Sequence, residues 1–279
     1  MGLAPLFVSV PSVLYLRGYV PSSSVFESLV RWWLVLSPTK VISVSSESLE
    51  TLLEGLPRWL QIVGRRKAEV IYNWLEDSED TVRTRTLHET PRIGTLSNVV
   101  PRKGIHHLLE VLERLRSQGL NAELWVAGAI YDRQYYHGLL ERVRSHGLED
   151  RVKFLGFIPS RDLLSRIDIF VLASDREGMP MAILEAMRAG VPVVAFAAEG
   201  VAEALDDGRA GVAVPVGDVD SLASAVAYLV RSPALRSELA DRGRERSRVF
   251  VREVQVSRLL GVLRGMVARS RVARARTRP

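Results

Sequence analysis

From Pro91 onward, short continuous apolar runs alternate with stretches of helical period, and that alternation predicts most of the architecture. Arg92 to Leu96 reads as a strand, Gly104 to Arg116 as an amphipathic helix through Ile105, Leu108, Leu109, Leu112 and Leu115, and Ala122 to Ala127 as a second strand. The beat continues with a helix over Arg133 to Ser145, a strand over Val152 to Leu155, a short helix over Asp162 to Ser165 and an apolar run over Ile167 to Leu172. A loop and a helix from Met181 to Ala189 lead into the run Val191 to Phe196. A strand over Gly211 to Val214 and helices over Ser221 to Val230 and Pro233 to Arg248 close the series. Strands separated by helices imply an α/β fold with a parallel, doubly wound sheet, whose ligands bind beyond the carboxyl ends of the strands.

Ahead of Pro91 the pattern is weaker. Val13 to Leu16 is a strand, Ser24 to Leu36 a helix, Val41 to Val44 a strand, Ser46 to Leu53 a helix and Val70 to Tyr72 a further buried strand. Trp32, Trp33, Trp59 and Trp74 are expected to pack core or interface. Glu76 to Arg85 is charged and aperiodic and reads as the linker. The expected domains are therefore 1–88, a partial α/β unit; 89–250, a complete Rossmann-like unit; and 251–279, a helix with an Arg-rich tail.

Composition adds mainly exclusions. An apolar content of 47% over 279 residues is ample for a buried core. The absence of Cys removes disulfides, thiolate metal sites and a Cys nucleophile, and none of His88, His106, His107, His137 and His146 stands in a metal-binding spacing. No metal or cofactor is expected. No stretch approaches the roughly 18 apolar residues of a membrane span, and the apolar start from Leu3 to Leu16 lacks a basic flank and carries two prolines. A cytoplasmic location is expected, extending to the inner face of a membrane if the tail engages one. The net charge of +6 sits in that tail: Arg264 to Pro279 holds six of the 38 basic residues and no acid, which leaves 32 basic against 32 acidic residues before it. Such a tail is either solvated or holds the chain to anionic lipid or nucleic acid; nucleic acid is not an expected partner.

Candidate chemistry concentrates in SDREGMPMAILEAMRAGVPVV, Ser174 to Val194. Gly178 suits a tight turn and close approach of a ligand, Pro180 suits a helix start, and Gly190 with Pro192 supplies the stop. The helix N-terminus offers unpaired N–H groups and a positive dipole end to an anion, most naturally a phosphate. Glu177 on the turn and Glu185 in the helix flank that position and could hold hydroxyl groups on either side of it. Phosphate with polyol describes a nucleotide sugar. A first-turn acid and a solvated helix residue would show the same spacing, so these residues alone leave both readings open. The chain contains neither GxGxxG nor GxxxxGK[ST].

The segment from Arg92 to about Arg248 resembles the C-terminal, donor-binding domain of the glycosyl transferases group 1 family, retaining nucleotide-sugar enzymes of the GT-B fold. RIGTLSNVVPRKGIHHLLEVLERL resembles the family's first strand, basic loop and helix, and ELWVAGAIYDRQYYHGLLERVRSHGLEDRVKFLGFIP its following strands. REGMPMAILEAMRAGVPVVA resembles the family's E-x7-E signature, with Glu177 and Glu185 in the acidic positions, and EGVAEALDDGRAGVAVPVGDVDSLASAVAYL completes the pattern. The resemblance implies transfer of a sugar from a nucleoside diphosphate to an acceptor hydroxyl with retention at the anomeric carbon. It gives Lys103 the donor diphosphate and Glu177 the donor sugar, both as catalytic groups. Gly178, Met179 and Pro180 would frame sugar and phosphate, and Glu185 would bind the ribose. Phe157, after Gly156, falls at a position near the nucleobase, which a buried strand-end aromatic would occupy equally well. Gly200 and Glu203 resemble the next loop.

Two positions depart from the family. Gly94 is followed by Thr95 where an Arg commonly clamps the diphosphate, and LYLRGY carries Arg17 where a His commonly faces the sugar. SVLYLRGYVP, KVISVSSESLETLL and AEVIYNWLED resemble only the second half of the family's N-terminal domain. The expected partners are thus a nucleotide sugar, a glycan or lipid-linked acceptor, a membrane surface and a second chain that completes the N-terminal domain. A non-catalytic or split-enzyme subunit is the alternative to a self-sufficient transferase.

Overall fold

The computed structural model describes residues 11–17, 25–76 and 88–276. They form two compact units, one of the described residues up to Glu76 with those from Phe250 onward, the other of the stretch between them.

In the first unit, β1 (Val13–Leu16), β2 (Lys40–Ser43) and β3 (Ala68–Val70) form a parallel sheet in that order, linked by α1 (Val25–Leu36), α2 (Ser46–Leu53) and α3 (Arg58–Lys67). Both ends of α2 are satisfied by side chains. Ser45 accepts a hydrogen bond from the Ser48 N–H, and the buried Arg31 guanidinium donates to the carbonyls of Leu52 (2.9 Å) and Thr51 (2.6 Å). Val35, Val41, Leu52, Leu53 and Leu60 form the core. The sequence pattern did not mark α3 as a helix, and it placed β3 two residues too late. Trp59 on α3 is 52% exposed, although its ring packs edge-on to Trp32 at 5.7 Å. Ser24 and the linker beyond Glu76 lie outside the described residues.

The second unit carries a six-stranded parallel sheet with helices between successive strands. Its elements are β4 (Arg92–Leu96), α4 (Ile105–Ser117), β5 (Glu123–Ala127), α5 (Arg133–Ser145), β6 (Val152–Gly156), α6 (Ser160–Leu164) and β7 (Ile169–Leu172), followed by α7 (Met181–Arg188), β8 (Val193–Phe196), α8 (Val201–Ala204), β9 (Val212–Val214), α9 (Val219–Arg231) and α10 (Pro233–Ser247). The strand order is β6-β5-β4-β7-β8-β9. Strands β7 and β8, IFVL and VVAF, are buried at every position, as strands covered on both faces must be. Caps set the helix starts: Asp132 and Asp218 accept from the N–H groups of Tyr135 and Ser221, both at 2.9 Å.

The last helix, α11 (Arg252–Arg276), belongs to the first unit. Leu75 donates its N–H to the Phe250 carbonyl at 2.8 Å, and the fully buried Gln255 accepts from the Tyr72 N–H at 3.0 Å. The backbone of the Arg-rich stretch is helical through Arg276.

Candidate functional site

The chain leaves β4 outward through β5 and β6, then returns to the other side of β4 to lay down β7, β8 and β9. At such a reversal the loops after the two inner strands diverge and leave a crevice beyond the carboxyl ends of the sheet. Here those are the loops after β4 and β7, which carry Lys103 and Glu177 respectively. Lys103 ends a 3-10 turn, Pro101–Lys103. Its ammonium forms an ion pair with Oε1 of Glu177, and the two side chains are only 15% and 11% exposed.

Backbone contacts hold the loops in that relation. The Asp175 N–H donates to the Arg102 carbonyl at 3.0 Å. Gly104 is left-handed (φ 62°), and a Cβ there would stand 1.9 Å from the Ala173 carbonyl oxygen. Gly200, also left-handed (φ 70°), brings the loop after β8 against the first two, since a Cβ there would stand 2.0 Å from the Gly178 carbonyl oxygen. Only glycine meets both the conformational and the steric demand.

Two helices begin at this crevice. Helix α7 starts behind Pro180 with no side-chain cap, so its positive end is turned to the loop that carries Glu177 and Gly178. Helix α4 starts behind Gly104 and is capped from another element: the Tyr135 hydroxyl accepts from the backbone N–H groups of Ile105 and His106. The same hydroxyl lies 2.8 Å from His106 Nδ1, within hydrogen-bond distance. Burial, and then the neighbouring His107, hold the His106 pKa below its ordinary value; burial raises that of Tyr135.

Glu185 lies one turn into α7, half-buried, and is hydrogen-bonded by the Ser160 side chain at the start of α6. Burial pushes its carboxyl above the usual carboxylate range, partly offset by Ser160 and Arg188. Phe157 follows β6 in the loop that leads to Ser160 and is 83% exposed, so its ring is presented to solvent and is not part of the core. Gly178 is half-buried, whereas Met179 and Pro180 are buried and offer the crevice backbone only. Thr95 is 1% exposed, inside the sheet opposite Val126 of β5. Arg17, on the first unit, follows β1 and is exposed.

The structure thus joins Lys103 to Glu177, and joins Glu185 to the loop that bears Phe157. Three features escaped the sequence pattern: Ser160 beside Glu185, the Tyr135–His106 cap, and the hydroxyls of Ser97 and Ser174. These two hydroxyls lie just beyond β4 and β7 and are buried without a hydrogen-bond partner. A serine directly after Pro159 at a helix start was a usable signal for the first; the others depend on contacts distant in sequence. Among the described residues, no cluster of three His, Asp or Glu is placed to hold a metal ion, and no helix is long and apolar enough to cross a membrane.

Residues 77–246 match the family described as Glycosyl transferases group 1, and the chain belongs to it. Among its relatives, the lipopolysaccharide core biosynthesis glycosyltransferase LpsE of Rhizobium meliloti is 32% identical over 186 residues, which are 65% of this chain and 53% of that protein. The glycogen synthase of Mycobacterium tuberculosis is 28% identical over 225 residues, 78% of this chain and 51% of its own. The chain spans about half the length of these curated relatives. A crystal structure of Anabaena Alr3699/HepE in complex with UDP and glucose superimposes with a TM-score of 0.78 at 24% identity, covering 91% of this chain and 72% of that one. Sucrose-phosphate synthase from Thermosynechococcus elongatus gives 0.74 at 23% identity, covering 88% and 63%. The fold is α/β of the GT-B type.

Proposed function

We propose that this chain is a glycosyltransferase that binds a nucleoside diphosphate sugar over the carboxyl ends of β4 and β7 and passes the sugar to an acceptor hydroxyl with retention of configuration. The observation that carries the reading is the Lys103–Glu177 ion pair set across the topological switch point of the sheet. Lys103 supplies a mobile cation for the diphosphate and for the charge that grows on it as the bond to the sugar breaks. Glu177 accepts hydrogen bonds from the sugar hydroxyls, and the Gly178–Pro180 backbone with the α7 N-terminus receives phosphate. Glu185, held by Ser160, takes the ribose, and the exposed Phe157 ring in the same neighbourhood offers a face to the base.

In the transfer, the bond from the anomeric carbon to the phosphate oxygen breaks and the bond to the acceptor oxygen forms on the same face. The acceptor proton passes to the departing phosphate. No protein nucleophile is needed, and no metal takes part in this reading. The acceptor is a glycan or a lipid-linked glycan, and the location is cytoplasmic.

The resemblance of the Anabaena fold, solved with UDP and glucose, makes UDP sugars the first donors to test. A nucleoside diphosphate is expected to raise the melting temperature, and Glu185→Ala to abolish the rise. Absence of a shift with UDP, GDP and ADP and their sugars would remove the reading. One observation favours a second: β1 is an edge strand among the described residues, with Val13 and Tyr15 38% and 39% exposed, as in a subunit completed by another chain. A monodisperse monomer that turns over donor rules that out.

A further inference from the structure

We propose that Ser160 is a positioning residue for the donor. Its hydroxyl holds the Glu185 carboxylate ready for the ribose, and the site thereby selects a ribonucleotide over its 2′-deoxy counterpart. The inference rests on the reading that Glu185 takes the ribose and extends it to the group behind that carboxylate. Ser160 reaches Glu185 from a separate connection of the sheet. Gly156 ends β6 in the left-handed region (φ 65°), Phe157 follows with its ring in solvent, and Pro159 leads into α6, whose first residue is Ser160. A serine at a helix start ordinarily serves its own helix. Here the start of α6 has no side-chain cap, and the Ser160 hydroxyl donates instead to Glu185 on α7. The bond ties the loop that bears Phe157 to the helix that bears the carboxylate.

A carboxylate that accepts from two vicinal hydroxyls must be both oriented and ionised, since a protonated carboxyl gives up an acceptor position to its own proton. Ser160 serves both needs. A hydrogen bond to one carboxylate oxygen limits the rotation of a long side chain before the ligand arrives. It also opposes the burial that favours the neutral form of Glu185. The other charged groups nearby do little of this work. Arg188, on the same helix, acts on Glu185 through its charge, after Ser160 in effect. On α6, Arg161 and Asp162 are exposed and pair with each other at 3.6 Å. Glu177, on the loop before α7, is taken up by Lys103, and Arg244 of α10 lies against Gly190, beyond the far end of α7.

The test titrates the full chain with UDP and with 2′-deoxy-UDP by calorimetry over a range of pH, or with the GDP or ADP pair if one of these binds more tightly. The ratio of the two affinities is the readout, because titration of the phosphates is common to both ligands. The parent is expected to prefer the ribonucleotide by roughly tenfold. Ser160→Ala is expected to cut that preference roughly fivefold near neutral pH, to leave the 2′-deoxy nucleotide little changed, and to recover part of the preference as rising pH ionises Glu185 unaided. Ser160→Thr, which keeps the hydroxyl, should restore it. Ser160→Gly removes the same hydroxyl and carries the test if the alanine variant does not fold. A preference unchanged at every pH, an equal weakening of both nucleotides, or a threonine variant no better than alanine would overturn the proposal. A parent that binds neither nucleotide, or both alike, removes the reading of Glu185 and the proposal with it.

Discussion

In the unliganded chain Lys103 and Glu177 neutralise each other in a site that is mostly out of water. A donor must therefore displace each from the other, with the diphosphate replacing Glu177 as counter-ion and the sugar hydroxyls replacing Lys103 as donors. Glu177→Gln releases Lys103 from a charged competitor. A nucleoside diphosphate without its sugar is expected to bind this variant more tightly than the parent, by roughly tenfold, while sugar transfer falls by a factor on the order of 100 or more. Titration calorimetry against turnover separates the two effects; parallel loss of both would show that Glu177 only supports the loop. Glu185 makes the opposite trade. Burial raises its pKa in the folded chain, so folding favours its protonated form. That contribution is complete below the unfolded pKa and is lost as pH rises through the folded one, leaving the ionised carboxylate as a cost at neutral pH. Glu185→Gln should therefore raise the melting temperature of the nucleotide-free chain at pH 7, with a gain that shrinks in acid, and should reduce the further rise that nucleotide gives. A melting temperature lowered equally at every pH would assign Glu185 a structural role.

At the scale of elements, the crevice depends on how α4 is started. Its first N–H groups meet the Tyr135 hydroxyl of α5, where a local Ser or Asp would serve in most helices. Tyr135→Phe removes that acceptor and is expected to cost about 1–2 kcal/mol in denaturant unfolding of the second unit. The sequence legible at this scale was the periodic part: the strands of the second unit and α4, α5, α7, α9 and α10 were found within a few residues. Helix α3 was missed because RWLQIVGRRK is dominated by polar and basic residues and carries Gly64 where a breaker is expected. In the fold, that glycine is what lets the helix approach, since a Cβ there would stand 2.4 Å from Leu53 Cδ2. Tertiary packing overrode local propensity. The site divided along the same line. Glu177 and Glu185 announce themselves by spacing, whereas Ser160 and Tyr135 become functional only through partners 25 and 29 positions away.

At the scale of the molecule, the order of the chain and the order of the fold differ. The segment from Phe250 returns to the first unit after the whole second unit has been laid down, so residues nearly 200 positions apart share a core, as the 183-residue separation of Tyr72 and Gln255 shows. No local pattern could reveal this, because Gln255 is a polar residue on a helix that is otherwise mostly exposed, and polar residues of that kind ordinarily face water. Its burial is explained by its acceptor, which satisfies the Tyr72 N–H just after β3 ends. Gln255→Leu keeps the bulk and removes that acceptor, and is expected to cost about 1–3 kcal/mol. The loss should fall on the first unit alone. In hydrogen exchange, protection of Tyr72 and of the α11 amides should drop while that of β7 and β8 stays at its parent level. A uniform drop across both units would mean that they unfold as one cooperative body, and that the return of the chain couples the folding of the two as well as completing the first.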